Sequence, residues 1–254
     1  MDPSQISQKT LLGKVVRLPF KLLPQDAIVR ILRGPARGKR WIASSSAHGF
    51  WLGYWELENQ RRFAHHLKPA DVVYDIGAHV GLYALISSDK VGPAGRVYAF
   101  EPFPKNVAYL RRHIELNHLS NCTVIQAAVS ESSGLRLFDP GDHSAAGHFS
   151  ETGGVSVRTL SLDEFVLSPH NERPPSIIKI NAEGAEMEVL KGARRTIAKF
   201  APLIFASTHS AGLHRECHEF LLSAGYAVRD LSADKIWATP CSQANLQSND
   251  RDAC

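Results

Sequence analysis

The chain has 254 residues, of which 44% are hydrophobic and 21% charged, and its formal net charge is +4. These values lie in the ordinary range of globular proteins, and the length suits one α/β domain with a modest extension. No apolar run approaches the roughly 20 residues that a bilayer-spanning helix needs, so no transmembrane segment is predicted.

The N-terminal part of the chain is strongly basic. Residues 1–40 contain nine Lys or Arg against two Asp. Apolar residues recur at roughly helical spacing over 11–23, so a helix making peripheral contact with an acidic membrane surface is one interpretation. Pro19 would interrupt such a helix, and a solvated arm whose apolar stripe packs on its own domain is the favoured interpretation.

A β-hairpin is predicted after this arm. Apolar runs at 28–32 and 41–44 flank the Gly- and Pro-containing segment 34–38, which is typical of two strands and their turn. Segment 50–55 is rich in aromatic residues; packing on the core is the favoured interpretation, and a substrate-binding wall is the alternative. Residues 1–65 are therefore predicted to form a basic arm and a small β-hairpin annex.

From residue 72 onward, short apolar runs alternate with longer amphipathic segments, which predicts a doubly wound α/β fold with a mostly parallel sheet. The main domain is predicted over 66–240, and a flexible tail over 241–254. The last two strands are close enough to form an antiparallel hairpin at one sheet edge. The predicted strands are 72–76, 96–101, 122–129, 176–181, 202–207, 226–231 and 235–238, and the predicted helices are 80–90, 104–117, 185–199 and 213–224.

The segment 130–160 departs from this alternation. It is rich in Gly, Ser, Asp and His and contains two short strand-like runs, at 135–138 and 155–158. We interpret it as an insertion or an active-site flap.

A candidate cofactor loop follows the first strand of the main domain. Asp75 lies near the strand end and is followed by Gly77, Ala78, His79 and Gly81. Gly77 permits a tight turn, and the small Ala78 lets the backbone approach a ligand. Dinucleotide-binding loops have the spacing GxGxxG, which this loop lacks. The carboxylate of Asp75 would repel a pyrophosphate but suits an ammonium group, reached directly or through water.

The ends of the next two strands add further cofactor-binding candidates. Glu101 ends the second strand, where its carboxylate can accept both hydroxyls of a ribose, and Pro102 follows it. Ligands bind outside the carboxyl ends of parallel strands, and this rule adds Ala127 and Ala128. Glu101 predicts a cofactor with a ribose but does not distinguish between the cofactors that contain one. An NAD-dependent Rossmann oxidoreductase is therefore an alternative, which the glycine spacing disfavours.

Three motifs together resemble the FkbM-type methyltransferases: VVYDIGAHVG at 72–81, AFEP at 99–102 and IKINAEGAE at 178–186. The similarity covers roughly residues 50–240. It implies a seven-stranded class I methyltransferase (Rossmann-like) sheet, S-adenosylmethionine as methyl donor, and hydroxyl acceptors in natural products or glycans. The chain departs from the family pattern at His79, where Asn is usual, and at Asn181, where Asp is usual.

The resemblance implies O-methylation of a small molecule or sugar, and three residues are candidates to carry it. His209 follows the strand 202–207 at the carboxyl edge of the sheet, and its usual pKa suits a general base at neutral pH. A histidine that only hydrogen-bonds its loop is the alternative. Asn181 and Glu183 lie where the fourth strand meets its helix and are predicted to orient acceptor or donor.

Other partners are not predicted. The four cysteines lack zinc-ligand spacing and an amide at 181 is a poor ligand for a hard cation, so no metal is expected. Residues 181–184 do not match the motif of base-methylating enzymes, and the basic arm lacks interleaved aromatics, so no nucleic acid is expected. Cysteine usage and the lack of a secretory signal predict a cytoplasmic protein. A non-catalytic binding protein with the same fold is a further alternative, and the oligomeric state is left open.

Overall fold

The structure is a computed structural model that describes residues 24, 26–139, 141, 147–150, 153–168 and 173–244. The segment 1–23 of the predicted basic arm and residues 245–254 of the predicted tail lie outside the described residues. The arm, its membrane contact and the division into units at residues 65 and 240 therefore stay predictions.

The strands and helices are numbered separately along the chain. The strands are β1 (Ile28–Arg30), β2 (Arg40–Ile42), β3 (Val72–Ile76), β4 (Arg96–Phe100), β5 (Cys122–Ile125), β6 (Ala128–Val129), β7 (Gly134–Asp139), β8 (His148–Phe149), β9 (Val155–Leu160), β10 (Ile177–Ile180), β11 (Leu203–Ser207), β12 (Tyr226–Ser232) and β13 (Lys235–Pro240). The α-helices are α1 (Gly49–Leu52), α2 (Leu57–His66), α3 (Leu82–Val91), α4 (Pro104–Leu116), α5 (Leu162–Leu167), α6 (Glu186–Gly192), α7 (Arg194–Phe200), α8 (Ala211–Ser223) and α9 (Cys241–Ala244). A 3-10 turn spans Ala43–Ser45.

A seven-stranded sheet in the order β12-β13-β11-β10-β3-β4-β5 forms the centre of the protein. The five strands from β11 to β5 in this order are parallel. β13 is antiparallel to β11, and β12 pairs antiparallel with β13 at the edge. The predicted doubly wound, mostly parallel α/β fold and its edge hairpin are confirmed. The strand order reverses between β3 and β10, where an open α/β sheet forms its ligand crevice.

The sheet separates two apolar cores because successive side chains of a strand point to opposite faces. In β3, Val73 enters one core together with α3, α4 and the annex. Its neighbours Tyr74 and Ile76 enter the other core together with α5 to α8. Burial on both faces explains why this strand is continuously apolar except at Asp75, rather than alternating.

The predicted N-terminal hairpin is confirmed, because β1 and β2 pair antiparallel. Trp41 of β2 is fully buried and stacks on the imidazole of His113 in α4, with ring centroids 4.0 Å apart. Nδ1 of His113 donates to the carbonyl of Val80 at 2.7 Å, and Nε2 accepts from the amide of Ile42 at 3.0 Å. Burial lowers the pKa of His113 to about 4. A neutral imidazole thus joins the annex to the main domain.

Two predicted elements are divided in the structure. The strand predicted over 122–129 becomes β5 in the central sheet and β6 in a four-stranded sheet of order β6-β9-β7-β8, built mainly from the irregular segment. The helix predicted over 185–199 breaks at Ala193. A Cβ on Gly192 would lie 2.1 Å from the carbonyl oxygen of Ser130, and Asp163 caps α7 by accepting from the amides of Arg195 and Thr196 at 2.9 and 2.7 Å. Within the described residues, no helix is both long and apolar enough to cross a membrane.

Candidate active site

A cavity of about 370 Å³ opens at the carboxyl edge of the central sheet. It spans the ends of β4, β3, β10 and β11 and the start of β13, whose antiparallel direction brings its first residue to the same edge. The four-stranded sheet closes one side through Phe138 and Phe149, and the N-terminal segment closes another through Phe50 and Trp55. The irregular segment and the aromatic run therefore both contribute to the cavity wall.

The glycine loop after β3 approaches the neighbouring strands closely. The amides of Gly77 and Ala78 both donate to the carbonyl of Phe100, at 3.0 and 2.9 Å. Gly77 has φ +70°, and a Cβ there would lie 1.9 Å from the carbonyl oxygen of Asn181, so only glycine fits. Gly77, Ala78 and His79 line the cavity. Gly81 does not, and it is the N-cap residue of α3 instead.

Glu101 lies at the end of β4 with its carboxylate 95% shielded from solvent but facing the cavity. One oxygen accepts from the amide of His79 at 2.8 Å, and the other from the amide of Phe103 and the side chain of Asn106 at 3.0 and 3.1 Å. Burial raises the pKa of Glu101 to about 7, although these hydrogen bonds lower it. Each carboxylate oxygen offers about two acceptor sites, so capacity remains for a ligand hydroxyl. Pro102, Ala127 and Ala128 line the same end of the cavity.

Asp75 lies beneath the cavity rather than in its wall. Its side chain is 1% exposed and forms an ion pair with Lys179, Nζ to Oδ1 2.9 Å. Lys179 also donates to the carbonyl of Gly77 at 3.1 Å. The pairing follows from the register, which places Lys179 opposite Asp75 on adjacent parallel strands. Asp75 is therefore not part of the cavity wall, and its contact with a cofactor ammonium group, directly or through water, stays a prediction.

His209 lies between two carboxylates. Its Nδ1 is 2.8 Å from Oε1 of Glu186, and its Nε2 is 3.2 Å from Oε2 of Glu183. Hydrogen bonds to Glu183 and Glu186 raise the pKa of His209 to about 10. The two carboxylates therefore favour the protonated imidazole over the neutral one that a general base requires.

Glu186 positions this histidine. Its side chain is completely buried, and Oε1 also accepts from the amides of Ala182 and Gly184, at 3.0 and 3.2 Å. Glu183 has φ +47°, a conformation that is uncommon for residues other than glycine. Asn181 donates to Glu183 over a long 3.5 Å. The structure thus brings together the three predicted catalytic residues, and Glu183, Asn181 and His209 all line the cavity.

The sequence did not identify a second polar cluster in the cavity wall. Glu56 accepts from the hydroxyl of Tyr83 at 3.2 Å and pairs with Nζ of Lys235 at 3.1 Å. Lys235 also contacts Asp234 at 2.8 Å. Nearly 180 residues separate Glu56 from Lys235, so the sequence does not show that they are in contact. The aromatic run at 50–55 was the one sequence signal near this cluster. The part of the chain that the structure describes holds no group of three or more His, Cys, Asp or Glu arranged to bind a metal ion.

Comparison with known proteins places the chain among methyltransferases. A sequence profile described as "Methyltransferase FkbM domain" matches residues 75–228. Hexuronic acid methyltransferase AglP of Haloferax volcanii is 36% identical over 126 residues, which are 48% of this chain and 49% of AglP. The 31-O-demethyl-FK506 methyltransferase FkbM of Streptomyces tacrolimicus is 37% identical over 86 residues, 33% of this chain and 32% of that protein.

A solved structure of methyltransferase FkbM from Methylobacillus flagellatus KT is 20% identical, with a TM-score of 0.49, and the match covers 75% of this chain and 53% of that one. The match to AglP spans about half of that relative's length. The profile alone covers more than half of this chain, and it includes the cofactor loop, Glu101 and the His209 cluster. The chain therefore belongs to the FkbM family of methyltransferases.

Proposed function

We propose that the protein transfers a methyl group from S-adenosylmethionine to a hydroxyl of a small molecule or sugar. The observation that carries this proposal is the composition of one continuous cavity. A buried carboxylate suited to a ribose, Glu101, lies at one end, and a histidine between two carboxylates lies toward the other. The relatives AglP and FkbM support the reaction class, since one is named for a hexuronic acid and the other for an O-demethylated acceptor.

The β4 end of the cavity fits the nucleoside part of the donor. Glu101 presents acceptor oxygens, and the hydrogen bonds from His79 and Asn106 fix the orientation of its carboxylate. Ala127 and Ala128 contribute only methyl groups to the wall, which leaves room for a flat base. When bound, S-adenosylmethionine supplies an electrophilic methyl group. Lys179 and Asp75 support the backbone of Gly77 from below and maintain the shape of the loop.

The β10 and β11 end fits the acceptor hydroxyl and its proton. With His209 protonated, the two carboxylates of Glu183 and Glu186 and the imidazolium of His209 sum to a net charge of −1. The positive charge of His209 balances one carboxylate, and the other can accept a proton. Glu183 lines the cavity and is the member that accepts the hydroxyl proton. His209 holds Glu183 in place, and the fully buried Glu186 holds His209. Methyl transfer otherwise depends on alignment of the two reacting atoms, which these fixed side chains provide.

Calorimetric titration with S-adenosylmethionine, and separately with NAD, tests the donor assignment. We expect saturable binding of S-adenosylmethionine only. Glu101→Gln should weaken it at least about tenfold, because hydrogen bonds to a charged acceptor contribute more than neutral ones. Glu115→Gln, which changes an exposed glutamate on α4, is the matched control and should bind like the wild type. Preference for NAD, or equal binding by both variants, would overturn the proposal.

A further inference from the structure

We infer that the wall formed by Trp55, Glu56, Asp234 and Lys235 is the acceptor subsite and that it binds an uncharged sugar ring. This wall is called the acceptor wall below. The inference rests on the proposed methyltransferase function and specifies its substrate class. It draws on position along the sheet, an aromatic surface, fixed hydrogen-bonding groups and the local charge.

Asp234 and Lys235 of the acceptor wall lie at the opposite end of the cavity from the donor carboxylate. Neighbouring strands are about 4.8 Å apart, so the end of β11 lies about 14 Å from the end of β4 along the sheet edge. Lys235 at the start of β13 is paired with Ser207 at the end of β11, and the amide of Thr208 donates to the carbonyl of Asp234 at 2.9 Å. This part of the wall is therefore near His209, on the side away from Glu101, and Glu56 joins it through its ion pair with Lys235.

Trp55 gives this wall an aromatic surface. Its ring stacks on Phe50 with centroids 4.8 Å apart and an interplanar angle of 15°, so its orientation is fixed. Trp55 is nevertheless 43% exposed and lines the cavity. The face of an aromatic ring is electron-rich and attracts the polarised C–H bonds on the apolar face of a pyranose. A partly exposed indole in a cavity wall thus provides a platform for a sugar ring.

Hydrogen-bonding groups accompany this platform. Glu56 is held by Tyr83 and Lys235, and Lys235 holds Asp234 in turn. Glu56 keeps φ +45°, which costs conformational energy and is maintained by these partners. Each carboxylate has acceptor sites left over, so the two can accept hydrogen bonds from the hydroxyls of one ring. An aromatic face bordered by fixed carboxylates suits a ring with several hydroxyl groups. A purely apolar acceptor would leave these carboxylates without hydrogen-bond donors.

The charges at this end of the cavity favour an uncharged sugar. Lys179 is neutralised by Asp75 beneath the floor and adds no net charge. Among the described residues at this end of the cavity, the other two cations are Lys235 and the protonated His209, and they face more carboxylates than they can neutralise. A uronic acid would add another negative charge beside them, and the repulsion between like charges disfavours its binding. The carboxylates concerned are Glu56, Asp234, Glu183 and Glu186, which leave a net charge of about −2.

The test uses the full-length protein saturated with S-adenosylhomocysteine and titrated by calorimetry with five probes. These are the methyl α-glycosides of glucose, mannose and galactose and the methyl α-glycosides of glucuronic and galacturonic acid. At least one neutral glycoside should bind, with each uronide at least about tenfold weaker. Trp55→Ala should weaken the neutral glycoside about tenfold, and Trp55→Phe should restore most of the binding. Leu222→Ala, which truncates an exposed apolar side chain on α8, is the control.

Each other outcome overturns a defined part of the proposal. If S-adenosylhomocysteine binds but no neutral glycoside does, or a uronide binds more tightly, the sugar assignment is wrong while the donor site stands. If Trp55→Ala weakens S-adenosylhomocysteine and leaves the glycoside unchanged, the acceptor wall belongs to the donor. If S-adenosylhomocysteine itself does not bind the wild type, the proposed function fails and not merely its acceptor.

Discussion

Removing one partner of the buried ion pair under the cavity should strongly destabilise the fold. Lys179 and Asp75 are 5% and 1% exposed, and their charged atoms are 2.9 Å apart. Lys179→Met leaves the Asp75 carboxylate without its cation in a place that the cavity does not reach, so we expect a loss of about 3–5 kcal/mol in the free energy of unfolding. Asp75→Asn should cost less, about 1–3 kcal/mol, because the amide oxygen can still accept a hydrogen bond from Lys179, which also keeps its hydrogen bond to the carbonyl of Gly77.

The double variant Asp75→Asn/Lys179→Met isolates the interaction between the two charges. It removes both charges at once. Its free energy of unfolding should lie within about 1 kcal/mol of that of the more stable single variant. Urea unfolding followed by circular dichroism measures all four proteins. Arg62→Met is the matched control, because its ion pair with Glu58 is exposed and should contribute less than about 1 kcal/mol. Strictly additive losses, or a Lys179→Met loss no larger than that of Arg62→Met, would refute the reasoning.

Three further predictions follow from the pKa values and contacts of single side chains. His209→Ala and Glu183→Gln should lower kcat at least about tenfold in a methyl-transfer assay and leave the Kd of the donor within about twofold, since both act at the acceptor end. Donor affinity should rise as the pH increases through about 7, where Glu101 ionises, and calorimetry should show no such rise for Glu101→Gln. Between pH 6.5, the usual pKa of histidine, and about pH 4, the pKa of His113 in the fold, His113 is neutral in the folded protein and protonated in the unfolded chain. Stability should therefore fall by about 3 kcal/mol as the pH drops through this window, and the advantage of the wild type over His113→Gln should shrink there in urea unfolding.

The sequence predicted most of the local elements and several residues of the cavity wall, although Asp75 and Gly81 do not line the cavity. Continuous apolar runs followed by glycine or an acidic residue predicted β3 and β4, because strands buried on both faces have no polar alternation. The carboxyl-edge rule then assigned Gly77 and Glu101 to the cavity wall, and the structure places both there. These inferences needed only neighbours in the chain and one general property of parallel sheets.

Contacts between distant segments could not be predicted in the same way. Lys179 pairs with Asp75 because β10 adjoins β3 in the sheet, and the sequence does not show that these two strands are neighbours. The break before α7 depends on the backbone of Ser130, and the pKa of His209 depends on Glu186 from another element. Each of these features follows from strand order and packing, which no periodicity in the sequence encodes.

The two ends of the cavity also differ in how they relate to the family. The matched range, 75–228, contains Glu101, Glu183 and His209, whereas Trp55 precedes it and Lys235 follows it. The acceptor wall is thus built from segments that flank the shared sheet: the chain entering α2 and the turn between the edge strands β12 and β13. Such peripheral segments can change without disturbing the parallel strands that lead into Glu101 and Glu183. An acceptor named for one relative therefore does not determine the acceptor here, and a neutral sugar in this cavity is consistent with a hexuronic acid in AglP.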